Sequence, residues 1–285
     1  MRLILSLILL LLFNRQSFSQ ETKSFDFTNV RHHWDIFYTE TKDSLQNLDV
    51  YWNIKSKDAK VLMFVHGGGW LSGDKKQYRE MASSLADYGL TVVLINYRLS
   101  PKVKFPSHIE DVASAIHWAK NSIGTYNGNK ENIYLMGHSA GGHLISLLLF
   151  DKSYLEKHEM ISSDIAGAIT ISGVFEIKPQ EGGATKKYLG IVFGDNETIW
   201  ESATCKNHID TKTKNRIPPF LISWGKEESK LIMDESKNII NKFNDNEIEF
   251  QSFTFESKNH YAFKDDLTDS KSEFYKTLMQ FMENQ

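Results

Sequence analysis

The residues that could do chemistry gather around one serine. Gly137-His138-Ser139-Ala140-Gly141-Gly142 contains G-x-S-x-G, preceded by the apolar run Ile133 to Met136 and followed by the helical stretch Ala140 to Phe150. In a strand–turn–helix setting this motif has a mechanical meaning. A nucleophile at a sharp strand-to-helix turn sits in strained backbone, and its neighbours two before and two after must be small. Gly137 and Gly141 meet that need. The turn lifts the Ser139 hydroxyl clear of the sheet. The helix behind it offers free amides and a favourable dipole to an anion. The plainer reading is a glycine turn capped by a serine, and the flanking strand and helix weigh against it.

A second glycine cluster, His66-Gly67-Gly68-Gly69-Trp70, follows the apolar run Val61 to Val65. Glycines after a strand can cradle phosphate. A P-loop needs Lys and then Ser or Thr after Gly73, where the chain has Asp74. A dinucleotide fingerprint starting at Gly67 and Gly69 needs a third glycine where the chain has Ser72. The better reading is an oxyanion loop, in which backbone N–H groups point at the charge of a tetrahedral intermediate. The expected donors are the amides of Gly68, Gly69 and Ala140.

Alternating strands and helices must position these loops. Strands are expected at 48–52, 61–65, 91–95, 133–136, 165–171, 220–224 and 248–255. Helices are expected at 77–88, 109–123, 140–150, 231–243 and 269–283. Residues 173–215 read as irregular. Repeated βα units imply an α/β fold: a mostly parallel sheet with helices on both faces. The 285 residues are 41% hydrophobic and 24% charged, which excludes disorder and a coiled coil. A net charge of −3 argues against nucleic acid as a primary partner. The single cysteine, Cys205, excludes an internal disulfide framework and reads as a small buried side chain rather than a nucleophile.

Taken together, the motifs resemble the α/β-hydrolase superfamily. They are most similar to the small carboxylesterases related to hormone-sensitive lipase, acetyl and feruloyl esterases, and kynurenine formamidase. The resemblance rests on His66 to Trp70 with Gly73-Asp74-Lys75, and on Asn96-Tyr97-Arg98-Leu99-Ser100-Pro101. Phe105-Pro106, Asp111, the 137–142 elbow and Pro218-Pro219-Phe220 complete it. It implies an α/β-hydrolase fold, no cofactor, and a triad in the chain order Ser, acid, His. Of ten histidines, His260 alone follows every plausible acid site after the 220–224 strand, in the loop where the family puts its base. The family acid lies three residues after a strand-ending glycine. In Gly225-Lys226-Glu227-Glu228 that is Glu228, with Glu227 and an acid elsewhere as alternatives. The resemblance also implies that His66 braces the oxyanion loop and that residues 173–215 roof the pocket. Trp70, Phe193 and Trp200 are then candidates for its wall, against ordinary core packing. His138 reads as packing or pocket edge, and Arg98 with Asp111 as a structural ion pair. His32 and His33 lack the carboxylate–histidine spacing of a metal site, and none is expected.

Residues 1–19 have the parts of a secretory signal: Arg2, the apolar Leu3 to Phe13, and Ser17-Phe18-Ser19 before Gln20. An eleven-residue run, apolar but for Ser6, is short for a bilayer span. The expectation is a signal at 1–19, one hydrolase domain at 20–285, and an exported, periplasmic or secreted monomer or homodimer without stable membrane insertion. The expected activity is hydrolysis of short-chain or small acyl esters, including saccharide-linked ones. Aryl formamide hydrolysis and a non-catalytic scaffold are the alternatives.

Overall fold

The computed structural model describes residues 27–179, 183–256, 260–261 and 263–284. The signal reading of 1–19 lies outside them. Among the described residues, no helix is long and apolar enough to cross a membrane.

Among the described residues, eight strands form one sheet: β1 (Val30–Phe37), β2 (Asn47–Asn53), β3 (Ala59–Val65), β4 (Thr91–Ile95), β5 (Gly128–His138), β6 (Gly167–Ile171), β7 (Phe220–Gly225) and β8 (Phe250–Phe255). Their spatial order is β1-β2-β4-β3-β5-β6-β7-β8. The β1–β2 and β2–β4 pairs are antiparallel, and every other pair is parallel. The helices are α1 (Arg79–Asp87), α2 (Ser107–Ser122), α3 (Ala140–Phe150), α4 (Ser153–Glu156), α5 (Ala184–Phe193), α6 (Glu197–Ala203), α7 (Lys230–Asp245), α8 (Phe263–Leu267) and α9 (Glu273–Glu283).

Strand alternation splits the core into two layers. Val61, Met63 and Val65 of β3 pack with α2, α3 and α7 on one face. Leu62 and Phe64 pack with α1, α8 and α9 on the other. Three expectations need correction. β1 was not expected: its His32 to Asp35 stretch is exposed, as a sheet edge allows, so it carries no apolar signature. The stretch 173–215 contains α5 and α6 and is not wholly irregular. The last helix starts at Glu273, with α8 a separate short helix before it.

Two ionic clusters fix the loops around the sheet. Lys75, whose side chain is fully buried, contacts Asp49 and lies 2.7 Å from Asp35. Arg79 holds the second Asp49 oxygen at 2.9 Å. This ties the segment behind the 66–70 loop to β1 and β2. Arg98 grips Asp111 through Nε (2.8 Å) and Nη2 (2.7 Å), and its backbone N–H adds a bond of 2.9 Å. Gln46 donates to the same carboxylate at 2.6 Å. The ion pair expected between Arg98 and Asp111 is therefore present.

Two stability measurements test this layout. Asp111 is 1% exposed, so Arg98→Ala strands a buried charge. The expected cost is about 2–4 kcal/mol, read as a lower melting temperature; an unchanged melting temperature would contradict the pairing. Four buried histidines govern the acid limit. Burial pushes His66, His108 and His143 down to about 4 and His138 well below its ordinary value. The unfolded chain takes up these protons near pH 6.5 and the folded chain does not, so stability falls as pH drops from about 6.5 towards 4. Glu235 works against this: burial raises it to about 7, so the folded chain gains that proton first. The histidines outnumber Glu235, so the unfolded chain takes up more protons than the folded one and stability falls as pH drops below about 6. Urea midpoints should be flat above pH 7 and drop steeply below 6; a level profile down to pH 5 would refute the assignment.

Candidate active site

Ser139 stands between β5 and α3 with φ 53° and ψ −116°. A non-glycine residue in that region carries strain of about 1–3 kcal/mol. The surroundings enforce it. The Ser139 N–H donates to Ile171 O at 2.9 Å, and its carbonyl accepts the first bond of α3, from His143 N–H, at 3.1 Å. A Cβ on Gly137 would lie 2.4 Å from Gly141 O, and one on Gly141 would lie 2.1 Å from Val65 O. The two glycines thus permit the turn for steric reasons. The Ala140 amide precedes the first bond of α3 and is a free donor of the helix N-terminus.

The 66–70 loop leaves β3, the neighbour of β5, and packs against the elbow. A Cβ on Gly67 would lie 3.1 Å from Ser139 Cβ. Its carbonyls are tied on one side. His66 Nδ1–H donates to Gly67 O at 2.7 Å. The amide and hydroxyl of Ser72 donate to Gly68 O at 3.1 Å each. In a trans peptide the N–H points opposite the C=O, so these ties turn the Gly68 and Gly69 amides the other way. Burial keeps the His66 ring neutral, with its value lowered to about 4, and the ring stacks on Tyr97 at 4.5 Å. Its place in the site is that of a brace.

Glu228 follows β7 and is buried. His260 follows β8, and its Nδ1 lies 2.9 and 3.1 Å from the two Glu228 oxygens. Glu227 is exposed, so the structure brings Glu228 and not Glu227 to the imidazole. The Ser139 hydroxyl itself makes no hydrogen bond among the described residues; such bonds are often long before substrate binds.

Two further side chains hold this pair. Ser172, at φ 49° just past β6, donates its hydroxyl to Glu228 Oε1. His138 donates Nε2–H to the His260 carbonyl at 2.8 Å, and the two rings are 4.5 Å apart. Burial and the neighbouring His260 keep His138 neutral, well below the ordinary histidine value. Sequence reasoning passed over Ser172, whose one signal is its place at a strand end among the site loops.

The aromatic candidates for a pocket wall are core residues. Trp70, Phe193 and Trp200 are 3%, 1% and 3% exposed. Trp70 packs edge-on against Phe193 and His143, each at 5.1 Å. Cys205 is fully buried. No cluster of His, Cys, Asp or Glu suited to a metal occurs among the described residues.

The arrangement has relatives. The chain is 28% identical over 228 residues to the probable carboxylic ester hydrolase LipM of Mycobacterium tuberculosis, covering 76% of this chain and 52% of that protein. It is 28% identical over 203 residues to the isoprenylcysteine alpha-carbonyl methylesterase ICME of Arabidopsis thaliana, covering 67% and 48%. The chain thus spans about half the length of the curated relatives it matches. Esterase B of Lactobacillus rhamnosis, solved with an inhibitor, superposes with a TM-score of 0.76 at 21% identity, covering 90% of this chain and 88% of that one. A truncated carbohydrate esterase from gut microbiota superposes at 0.74 and 20% identity, covering 91% and 98%. These superpositions show the α/β-hydrolase fold. The BD-FAE family model matches residues 48–243, which include the 66–70 loop, the elbow and Glu228 and stop before His260. On that match, the chain belongs to the BD-FAE family.

Proposed function

We propose that the protein is a serine carboxylesterase acting on esters of short-chain or small acyl groups. The observation that supports this most is the Glu228–His260 hydrogen bond of 2.9 Å beside the strained Ser139 elbow. Relatives named as ester hydrolases support the same reading.

Ser139 Oγ attacks the ester carbonyl while His260 Nε2 takes its proton. Glu228 holds Nδ1–H, fixes the tautomer and stabilises the imidazolium that forms. The Gly68, Gly69 and Ala140 amides receive the oxyanion; a single such donor is typically worth roughly 10²–10³ in turnover. His260 then protonates the leaving alcohol, which departs and leaves an acyl-enzyme. Water repeats the sequence on that acyl-enzyme and frees the acid. A neutral His138 suits this cycle, because a second positive ring beside His260 would oppose formation of the imidazolium. Read as an export signal, residues 1–19 favour a substrate outside the cytoplasm, and acylated saccharides are the class proposed there.

The test is hydrolysis of p-nitrophenyl acetate, butyrate and octanoate. Ser139→Ala should abolish turnover, with a loss of about 10³-fold or more. Glu228→Gln should lower kcat by roughly 10²–10⁴-fold while Glu227→Gln leaves it unchanged. Ser172→Ala should cost about tenfold, since one hydrogen bond to a charged group is lost. Equal background rates for wild type and Ser139→Ala on every ester would overturn the proposal. A preference for N-formylkynurenine, lost in Ser139→Ala, would keep the triad and replace the ester reading with an arylformamidase one.

A further inference from the structure

We infer that Tyr188 is a positioning residue for the oxyanion loop, through a hydrogen bond from its hydroxyl to the Gly69 carbonyl. This rests on the esterase reading above. It concerns a side chain supplied from α5, far along the chain from the loop it holds.

Three consecutive glycines carry three consecutive carbonyls, and each has its own donor. His66 Nδ1–H serves Gly67, and the Ser72 amide and hydroxyl serve Gly68. For Gly69, the one donor among the described residues is the Tyr188 hydroxyl, at 2.7 Å. The first two donors lie within the loop and its turn. The third crosses from α5. Gly69 has no side chain to limit rotation, and it sits at φ 61°. Its amide is a proposed oxyanion donor and its carbonyl is the atom Tyr188 holds. The Gly69 amide lies in the peptide plane that Ser72 holds through Gly68 O, and the Gly69 carbonyl lies in the next plane, so the Tyr188 bond fixes the second of the two planes that meet at Gly69 and with it the φ and ψ at which the donor is held.

The contact is close. The position a Cβ would take on Gly69 lies 2.1 Å from the Tyr188 hydroxyl oxygen. The next residue, Trp70, also has φ 61°, which is rare for a bulky side chain. Phe193, on the same helix as Tyr188, packs against the Trp70 ring at 5.1 Å. The Ser100 N–H donates to the Trp70 carbonyl at 2.9 Å. The helix itself is anchored where Phe105 N–H donates to Val192 O at 2.9 Å. One short helix thus clamps two successive left-handed residues, Gly69 through its carbonyl and Trp70 through its ring.

Tyr188→Phe removes the hydroxyl and keeps the ring. In the full-length protein, kcat on p-nitrophenyl acetate should fall about tenfold or more with KM within about twofold, because the lost interaction acts on the transition state. Active-site titration with a fluorophosphonate normalises kcat to folded enzyme, so partial misfolding does not enter the comparison. A trifluoromethyl ketone, which forms a tetrahedral oxyanion on the serine, should lose affinity in proportion to kcat. A role confined to packing would lower the melting temperature and leave kcat and ketone affinity at wild-type values; that outcome would overturn the inference. A wild-type protein that hydrolyses none of the esters would overturn the esterase reading, and this inference with it.

Discussion

Parallel register governs where chemistry can occur in this molecule. Val65 of β3 pairs with Gly137 of β5, His138 of β5 with Ile171 of β6, Ile171 with Ser223 of β7, and Gly225 of β7 with Phe255 of β8. Five neighbouring strands therefore run out along one edge of the sheet. Each delivers one part of the site within a few residues of its end: the glycine loop, Ser139, Ser172, Glu228 and His260. A one-residue slip in any of these pairings would exchange the side chains of the two core layers. The apolar layers on both faces thus hold the register, and the register holds the site.

What remains after the strands are aligned is orientation, and hydrogen bonds to the backbone supply it. His66 and Ser72 hold loop carbonyls, His138 holds the carbonyl of His260, and Ile171 holds the amide of Ser139. The polar residues that do this are mostly buried, so the fold carries neutral imidazoles where leucines would pack more cheaply. The cost appears at acid pH. What it secures is a set of loops whose peptide planes are fixed before substrate arrives, which is the condition under which fixed dipoles outperform water.

The parts legible in the sequence were those with strong local signals. β4 and α3 match their expected bounds because continuous apolar runs end at turn residues. The elbow and glycine loop were legible because their backbone geometry excludes most side chains. β1 was hidden by its edge position, where exposed His32, His33 and Trp34 break any alternation. α6 was hidden by its length of 7 residues, and α5 by the glycines at both its ends and at 190. Glu227 and Glu228 differ by one position in a turn, and only the turn's path separates an exposed carboxylate from one facing His260. Ser172 and Tyr188 act through single hydroxyls on partners 56 and 119 residues away, a relation that no local pattern encodes.

The one cysteine, Cys205, lies just after α6, fully buried, with its sulfur against the His143 carbonyl. Burial raises its thiol well above the usual range. The nucleophilic thiolate is therefore both scarce and out of reach of oxidants, disulfides and electrophiles while the chain stays folded. The native state is covalently indifferent to the redox potential around it, and so neither a reducing nor an oxidising compartment changes its cross-links. Unfolding ends that indifference, because it uncovers a thiol with no intramolecular partner to close on.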